Sequence, residues 1–311
     1  MKSLAANQAQ LLAACERAGL RVERDAASSA LTTYRCGGSL ALLVRLASVD
    51  EAKRLAEVIG AAAGTVPTLV IGRGSNLLVA DAGFRGVAVV LDGDFDRLDL
   101  DGATGSVEAG AAVALPVLAR RAAAAGIGGL EFFVGIPGGV GGAVRMNAGG
   151  HGRETAEVLV SARCLDLATG ALEERTPAGF ELAFRRSNVG PTTLVLDARF
   201  AGGPDDIEAG NRRISEIVQW RREHQPGGSN AGSVFMNPPG DSAGRLIDAC
   251  GLKGLRVGGA VVSEKHANFF VAENGATAAD VHTLMVEVQR RVEQETGVRL
   301  VPELQLIGFE S

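Results

Sequence analysis

Short apolar runs cut by glycine-rich punctuation run the length of the chain. "ALLVRL", residues 41–46, reads as a strand. Ser48 with Glu51 three residues on makes a capping box. Behind it Ala52, Leu55, Ala56 and Ile59 share one helical face, which Gly60 and Gly64 close. The continuous apolar runs at 68–71 and 86–92 predict buried strands, and "SVEAGAAV", 106–113, predicts another with a bend at its glycine. Pro116 opens a helix that runs to Ala125 and stops at Gly126. Alternation on both sides of Ala168-Thr169-Gly170 predicts a hairpin, followed by a strand at 193–200.

"AGGPDD", 201–206, is the best boundary signal in the chain. Beyond it Ile207, Ile214, Ile217 and Val218 mark the apolar stripe of a polar helix ending before Pro226. A short helix around Leu246 and Ile247, a strand "NFFVA", a long helix opened by Thr277 and a last strand at 304–308 complete the pattern. Strands and helices mix without a strict βαβ rhythm, so the expected class is α+β. The expected domains are residues 1–203 and 204–311.

Composition narrows the function. The chain has 311 residues, enough for about two domains. A net charge of −5 offers no general basic surface, and 4% aromatic residues offer few stacking platforms, so nucleic acid is not an expected partner. The N-terminus is a poor signal peptide, and no apolar window is long enough to span a membrane, so a cytoplasmic protein is expected. Cys15, Cys36, Cys164 and Cys250 are too scattered for a disulfide framework. Neither they nor the four histidines show metal-ligand spacing, so no metal is expected.

Two segments carry candidate chemistry. "IGRGSN", 71–76, follows a predicted strand, and a Gly-x-Gly turn there can aim successive N–H groups at an anion. It lacks the third glycine of a Rossmann fingerprint. "GIPGGVGGAVRMNAGG", 135–150, holds seven glycines. Bare backbone at this density suits close approach of a ligand. Together the two could grip a cofactor containing pyrophosphate.

Those motifs resemble the UDP-N-acetylenolpyruvoylglucosamine reductase family. The likeness continues through Gly232-Ser233-Val234-Phe235, Asn237-Pro238-Pro239-Gly240, "AGRLIDACGLKG", "VSEKHANF" and "PELQLIG", covering roughly 31–308. It implies a two-part FAD-binding domain of the vanillyl-alcohol-oxidase-like type, with its core at about 31–203, and a smaller C-terminal α+β substrate domain. It also implies non-covalent FAD, NADPH as hydride donor, a sugar-nucleotide substrate and a monomer. The cofactor residues carried over are Gly72, Gly74, Ser75, Asn76, Gly135, Ile136, Pro137, Gly138, Gly141, Gly142, Ala143 and Asn147. Arg185, in a Phe-Arg-Arg-Ser version of the family's Tyr-Arg-x-Ser, matches the residue that meets the substrate carboxylate. Ser233 matches the proton donor, and Glu303 completes the catalytic set. Arg185, Glu303, His224 and Asn237 are expected on substrate. Phe184, Met236, His224 and Gln305 depart from the family's usual residues. With a single tyrosine, Tyr34, the chain resembles the branch without an extra tyrosine-bearing loop. The competing readings are another flavoenzyme of this fold, such as a sugar or aldonolactone oxidase, and a binding module without catalysis. The first glycine turn lacks the histidine that often attaches flavin covalently in such oxidases.

Overall fold

A computed structural model describes residues 2–62 and 66–309. The chain forms two compact units that interleave along the sequence. The first comprises Met1–Ala26, Ala41–Arg73 and Arg85–Gln219. The second comprises Ala27–Leu40, Gly74–Phe84 and Trp220–Ser311. The change from one to the other thus falls inside the polar helix rather than in the loop at 201–206. Two early stretches also join the C-terminal part, an exchange that periodicity cannot signal.

The first unit opens with helix α1, Lys2–Arg17. Strands Arg21–Ala27, Ser39–Leu46, Phe84–Leu91 and Thr68–Val70 form one sheet in that order, the last two parallel. Helix α2, Val49–Gly60, starts as its sequence predicts. Ser48 Oγ accepts from Glu51 N at 3.3 Å, and the Glu51 carboxylate accepts from Ala47 N at 2.7 Å. Gly64, the second expected stop, lies outside the described residues. Leu55, Ala56 and Ile59 of α2 pack with Val44, Leu46, Val87 and Val89 of the sheet.

A second sheet is wholly antiparallel, in the order Leu172–Arg175, Leu159–Asp166, Thr193–Ala201, Ser106–Gly110, Leu98–Asp101. The predicted hairpin is present, with Leu165 opposite Leu172 and Gly170 at φ 73°. The strand expected to reach residue 113 stops at Gly110. A Cβ there would overlap the Phe95 carbonyl, and the chain turns so that Val113 N reaches Gly110 O at 3.1 Å. Helix α3, Leu115–Ala124, and helix α4, Val140–Met146, pack with this sheet around Leu118, Val144, Ala162 and Phe200. Helix α5, Ile207–His224, runs across the change of unit.

In the second unit, helix α6, Ala243–Ala249, and helix α7, Ala278–Thr296, share a core with the sheet Arg256–Val257, Ala260–Val262, Phe270–Ala272. Thr277 and Asp280 cap α7 reciprocally, and the Asp81 carboxylate accepts from Ala278 N and Ala279 N at 3.0 and 2.9 Å. The last strand, Gln305–Ile307, lies parallel to Leu77–Val79. Tyr34, Cys36 and Leu78 belong to the same core as α7. Among the described residues no helix is long and apolar enough to cross a membrane.

Candidate active site

The glycine-rich segment is pinned before it can serve a ligand. Gly138 O accepts from Leu115 N at 3.0 Å, Val140 N reaches Val113 O at 3.0 Å, and Gly141 N reaches Ala111 O at 2.9 Å. The first amides of α4 are therefore spent on neighbouring backbone. A Cβ on Gly141 would stand 3.1 Å from Ala111 Cβ, and one on Gly135 would stand 3.0 Å from the His151 ring. Both glycines answer to packing. Gly142 differs, because no atom lies within 4 Å of where its Cβ would be. It opens, with Gly72, onto a cavity of about 210 Å³ walled by Ile71, Leu91 and Val195. Ile136 and Pro137 enter α4 from a short 3-10 turn, and Ala143 faces the core.

Asn147, expected on the cofactor, is fully buried and ends α4 at φ 41°. Its Nδ2 donates to Ala183 O at 3.2 Å, and its Oδ1 accepts from Ala156 N at 2.9 Å. This amide ties the glycine-rich segment to the Phe-Arg-Arg-Ser turn. Ala183 and Arg186 exchange backbone hydrogen bonds, which places Phe184 and Arg185 at a tight tip with Arg185 at φ 54°. Arg185 Nη2 donates to Gly149 O at 2.9 Å, and its guanidinium lies 5.0 Å from the centre of the Phe184 ring. Phe184, where the family carries Tyr, is 53% exposed. Ser187 Oγ donates to Arg145 O at 2.6 Å. The two motifs, distant in sequence, are one hydrogen-bonded body.

The second unit gathers the other matches. A Cβ at Gly74, φ 61°, would overlap the Leu31 carbonyl, so only glycine fits that turn. Ser75 and Asn76 follow it. Asn76 Nδ2 donates to Glu303 O at 3.0 Å across 227 residues of sequence, and Gln305 N donates to Asn76 O at 3.1 Å. Glu303 N reaches Val234 O at 2.8 Å. Asn76, Ser233 and Glu303 thus sit on adjoining extended stretches, with Ser233 and Glu303 half-buried. Asn237 accepts from Ala243 N at 3.1 Å through its side chain, a capping contact for α6. His224 is exposed on α5, stacked 4.7 Å from Trp220.

Sequence reasoning missed Asn268. It is 2% exposed, accepts from Phe235 N at 3.0 Å and donates to Phe235 O at 2.8 Å, while its own carbonyl accepts from Val234 N at 2.9 Å. It clamps the stretch that carries Ser233. His266 Nδ1 in turn accepts from Asn268 N at 3.2 Å, which leaves the ring proton on Nε2. Burial holds the His266 pKa below its ordinary value, and Lys253 adds to the effect. The "HANF" stretch carried the signal, as part of a motif without an assigned role. Among the described residues, the buried hydroxyls Ser28 Oγ, Thr32 Oγ1 and Tyr34 OH have no hydrogen-bond partner. Among the described residues no cluster of His, Cys, Asp or Glu could hold a metal.

The site and fold define a flavin-dependent oxidoreductase, and the comparisons agree. A model of an FAD binding domain matches residues 40–175, and a model of the UDP-N-acetylenolpyruvoylglucosamine reductase C-terminal domain matches 224–307. UDP-N-acetylenolpyruvoylglucosamine reductase 2 of Symbiobacterium thermophilum is 43% identical over 290 residues, 93% of this chain and 92% of its own length. The Rhodopseudomonas palustris reductase is 43% identical over 89% of both chains. The crystal structure of UDP-N-acetylenolpyruvylglucosamine reductase from Thermus caldophilus matches with a TM-score of 0.81 and 38% identity, covering 93% of this chain and 99% of that one. The chain belongs to the UDP-N-acetylenolpyruvoylglucosamine reductase family.

The residues present fit FAD. The open face at Gly142 is a cradle that any side chain would fill, and the cavity beside it pairs apolar walls, Ile71, Leu91 and Val195, with the charged groups Arg73, Asp96 and Arg145. At about 210 Å³ it is smaller than a typical whole-ligand site, so it suits one part of a dinucleotide.

Proposed function

We propose that this chain reduces the enolpyruvyl group of UDP-N-acetylenolpyruvoylglucosamine to the lactyl ether, giving UDP-N-acetylmuramate for peptidoglycan synthesis, with NADPH as the hydride donor. The glycine-rich segment and Arg185 belong to the first unit, and Ser233 and Glu303 to the second. The observation that carries the reading is the convergence of Asn76, Ser233 and Glu303 on adjoining stretches, inside a chain 43% identical to a reductase of this name over nine-tenths of its length.

When bound, FAD would supply two-electron hydride chemistry between a nicotinamide and an activated double bond. Gly72, Gly142 and the turn Gly74-Ser75-Asn76 would hold it, with Gly135, Ile136, Pro137, Gly138, Gly141, Ala143 and Asn147 shaping the glycine-rich segment. Hydride addition to a vinyl group conjugated with a carboxylate pushes charge onto that carboxylate. Arg185 meets it with a guanidinium fork, an arrangement already ordered by Gly149 and Phe184. Ser233 Oγ gives its proton to the basic carbon, and Glu303 orients the same group. His224 and Asn237 bind the nucleotide portion. The reaction runs in the cytoplasm, by a monomer. Four free cysteines fit a reducing compartment, and sedimentation at the mass of one chain tests the second point.

The deciding experiment is anaerobic. NADPH is expected to bleach the flavin absorbance of the purified protein, and UDP-N-acetylenolpyruvoylglucosamine to restore it. Reduced flavin that persists in the presence of that substrate would overturn the proposal.

A further inference from the structure

Arg145 is a half-buried charged group with, among the described residues, a single hydrogen-bond partner for its side chain. It stands on the last turn of α4 and lines the cavity that Gly72 and Gly142 open. One of its donors, Nη1, goes to Gly190 O at 3.2 Å. The guanidinium has more donors than that. Burial alone acts on its acidity, lowering its pKa, and no carboxylate opposes the effect. Asp96 and a second arginine, Arg73, line the same cavity, yet no ion pair holds Arg145 among the described residues. A half-buried cation held by one carbonyl contact leaves donors free, and an anion in the cavity would satisfy them.

Oxidised FAD has no charge on its isoalloxazine, ribityl chain or adenine at neutral pH. Its negative charge sits on the pyrophosphate. We propose that Arg145 is a phosphate-binding residue for the cofactor, pairing its guanidinium with a pyrophosphate oxygen in the cavity that Gly72 and Gly142 leave open. Ser187 takes part indirectly. Its hydroxyl holds the Arg145 carbonyl at 2.6 Å and its oxygen accepts from Val189 N at 3.2 Å, which fixes the base of the arginine. The proposal rests on the reading of the protein as an FAD enzyme.

The test uses flavin-stripped protein of full length, with FAD affinity read from quenching of flavin fluorescence and ADP and adenosine as competitors. For R145M, FAD affinity is expected to fall about 100-fold, the scale of an uncompensated charge pair. Its dependence on salt should flatten. ADP should lose its advantage over adenosine, while adenosine competes as before. R145K should recover part of the loss. An unchanged ratio of ADP to adenosine affinity in both variants overturns the proposal, and so does an equal loss of the two competitors, which would mark a residue that only holds structure. Failure of the parent protein to bind FAD would instead sink the flavoenzyme reading.

Discussion

At the scale of single residues, chemistry and bracing separate cleanly. Ser233 is proposed as the proton donor, while Asn268 fixes the stretch on which it stands. Flavin reduction by NADPH does not use the substrate's proton, so Ser233→Ala should leave that half-reaction intact. Reoxidation by substrate should slow by about 10²- to 10⁴-fold, the usual weight of a positioned general acid. Stopped-flow absorbance reads both, and equal slowing of the two would remove Ser233 from the chemistry. His266 makes a pH prediction. Its pKa is lowered in the folded chain by burial, with Lys253 beside it. The unfolded chain therefore binds more protons between that lowered value and about 6.5, and stability rises with pH across the window. Thermal melts should show Tm falling as pH drops through about 6.5, with a shallower fall in His266→Gln. Parallel curves for the two proteins would show that other groups carry the pH dependence.

At the scale of elements, the same residue type does different work at neighbouring positions. Gly141 packs on Ala111, whereas Gly142 faces the cavity. Gly142→Val should therefore yield folded protein with little FAD, because the new side chain occupies ligand space. Gly141→Val should lower Tm as well, because Ala111 must move. The flavin-to-protein absorbance ratio and a melt of each apoprotein check this, and full flavin content in Gly142→Val contradicts it. Sequence pattern predicted α2, α3, α5 and α7 and the hairpin at 165–172 because each has a regular period bounded by a cap, a proline or a glycine. It did not reveal helix α1 or the strand Leu77–Val79. The latter is a short strand whose partner, Gln305–Ile307, lies at the other end of the chain.

At the scale of the whole molecule, the second unit is discontinuous. Its core includes Tyr34, Cys36 and Leu78, and its final strand pairs with Leu77–Val79. A fragment of residues 204–311 lacks those pieces. It should unfold without a cooperative transition, because buried faces at Leu304 and Leu300 lose their cover. Chemical denaturation followed by circular dichroism checks this, and a sharp transition in the isolated fragment would contradict it.

The sequence by itself determined the reaction class, because the order of the glycine turns and the Arg185, Ser233 and Glu303 motifs is long and specific enough to be a family signature. It also determined the regular elements, whose periods are local. Only the tertiary structure decided which residues meet. Asn76 reaches Glu303 across 227 positions, and no local pattern encodes a contact at that separation. Asn147 looked like a ligand residue but has both side-chain groups bound to the chain's own backbone, a use that composition cannot distinguish from cofactor binding. Arg145 stands in the glycine-rich segment, and the sequence assigned it no role. Its partial burial, and the cavity it lines, exist only after distant strands have closed around it, so no local pattern could signal its proposed role.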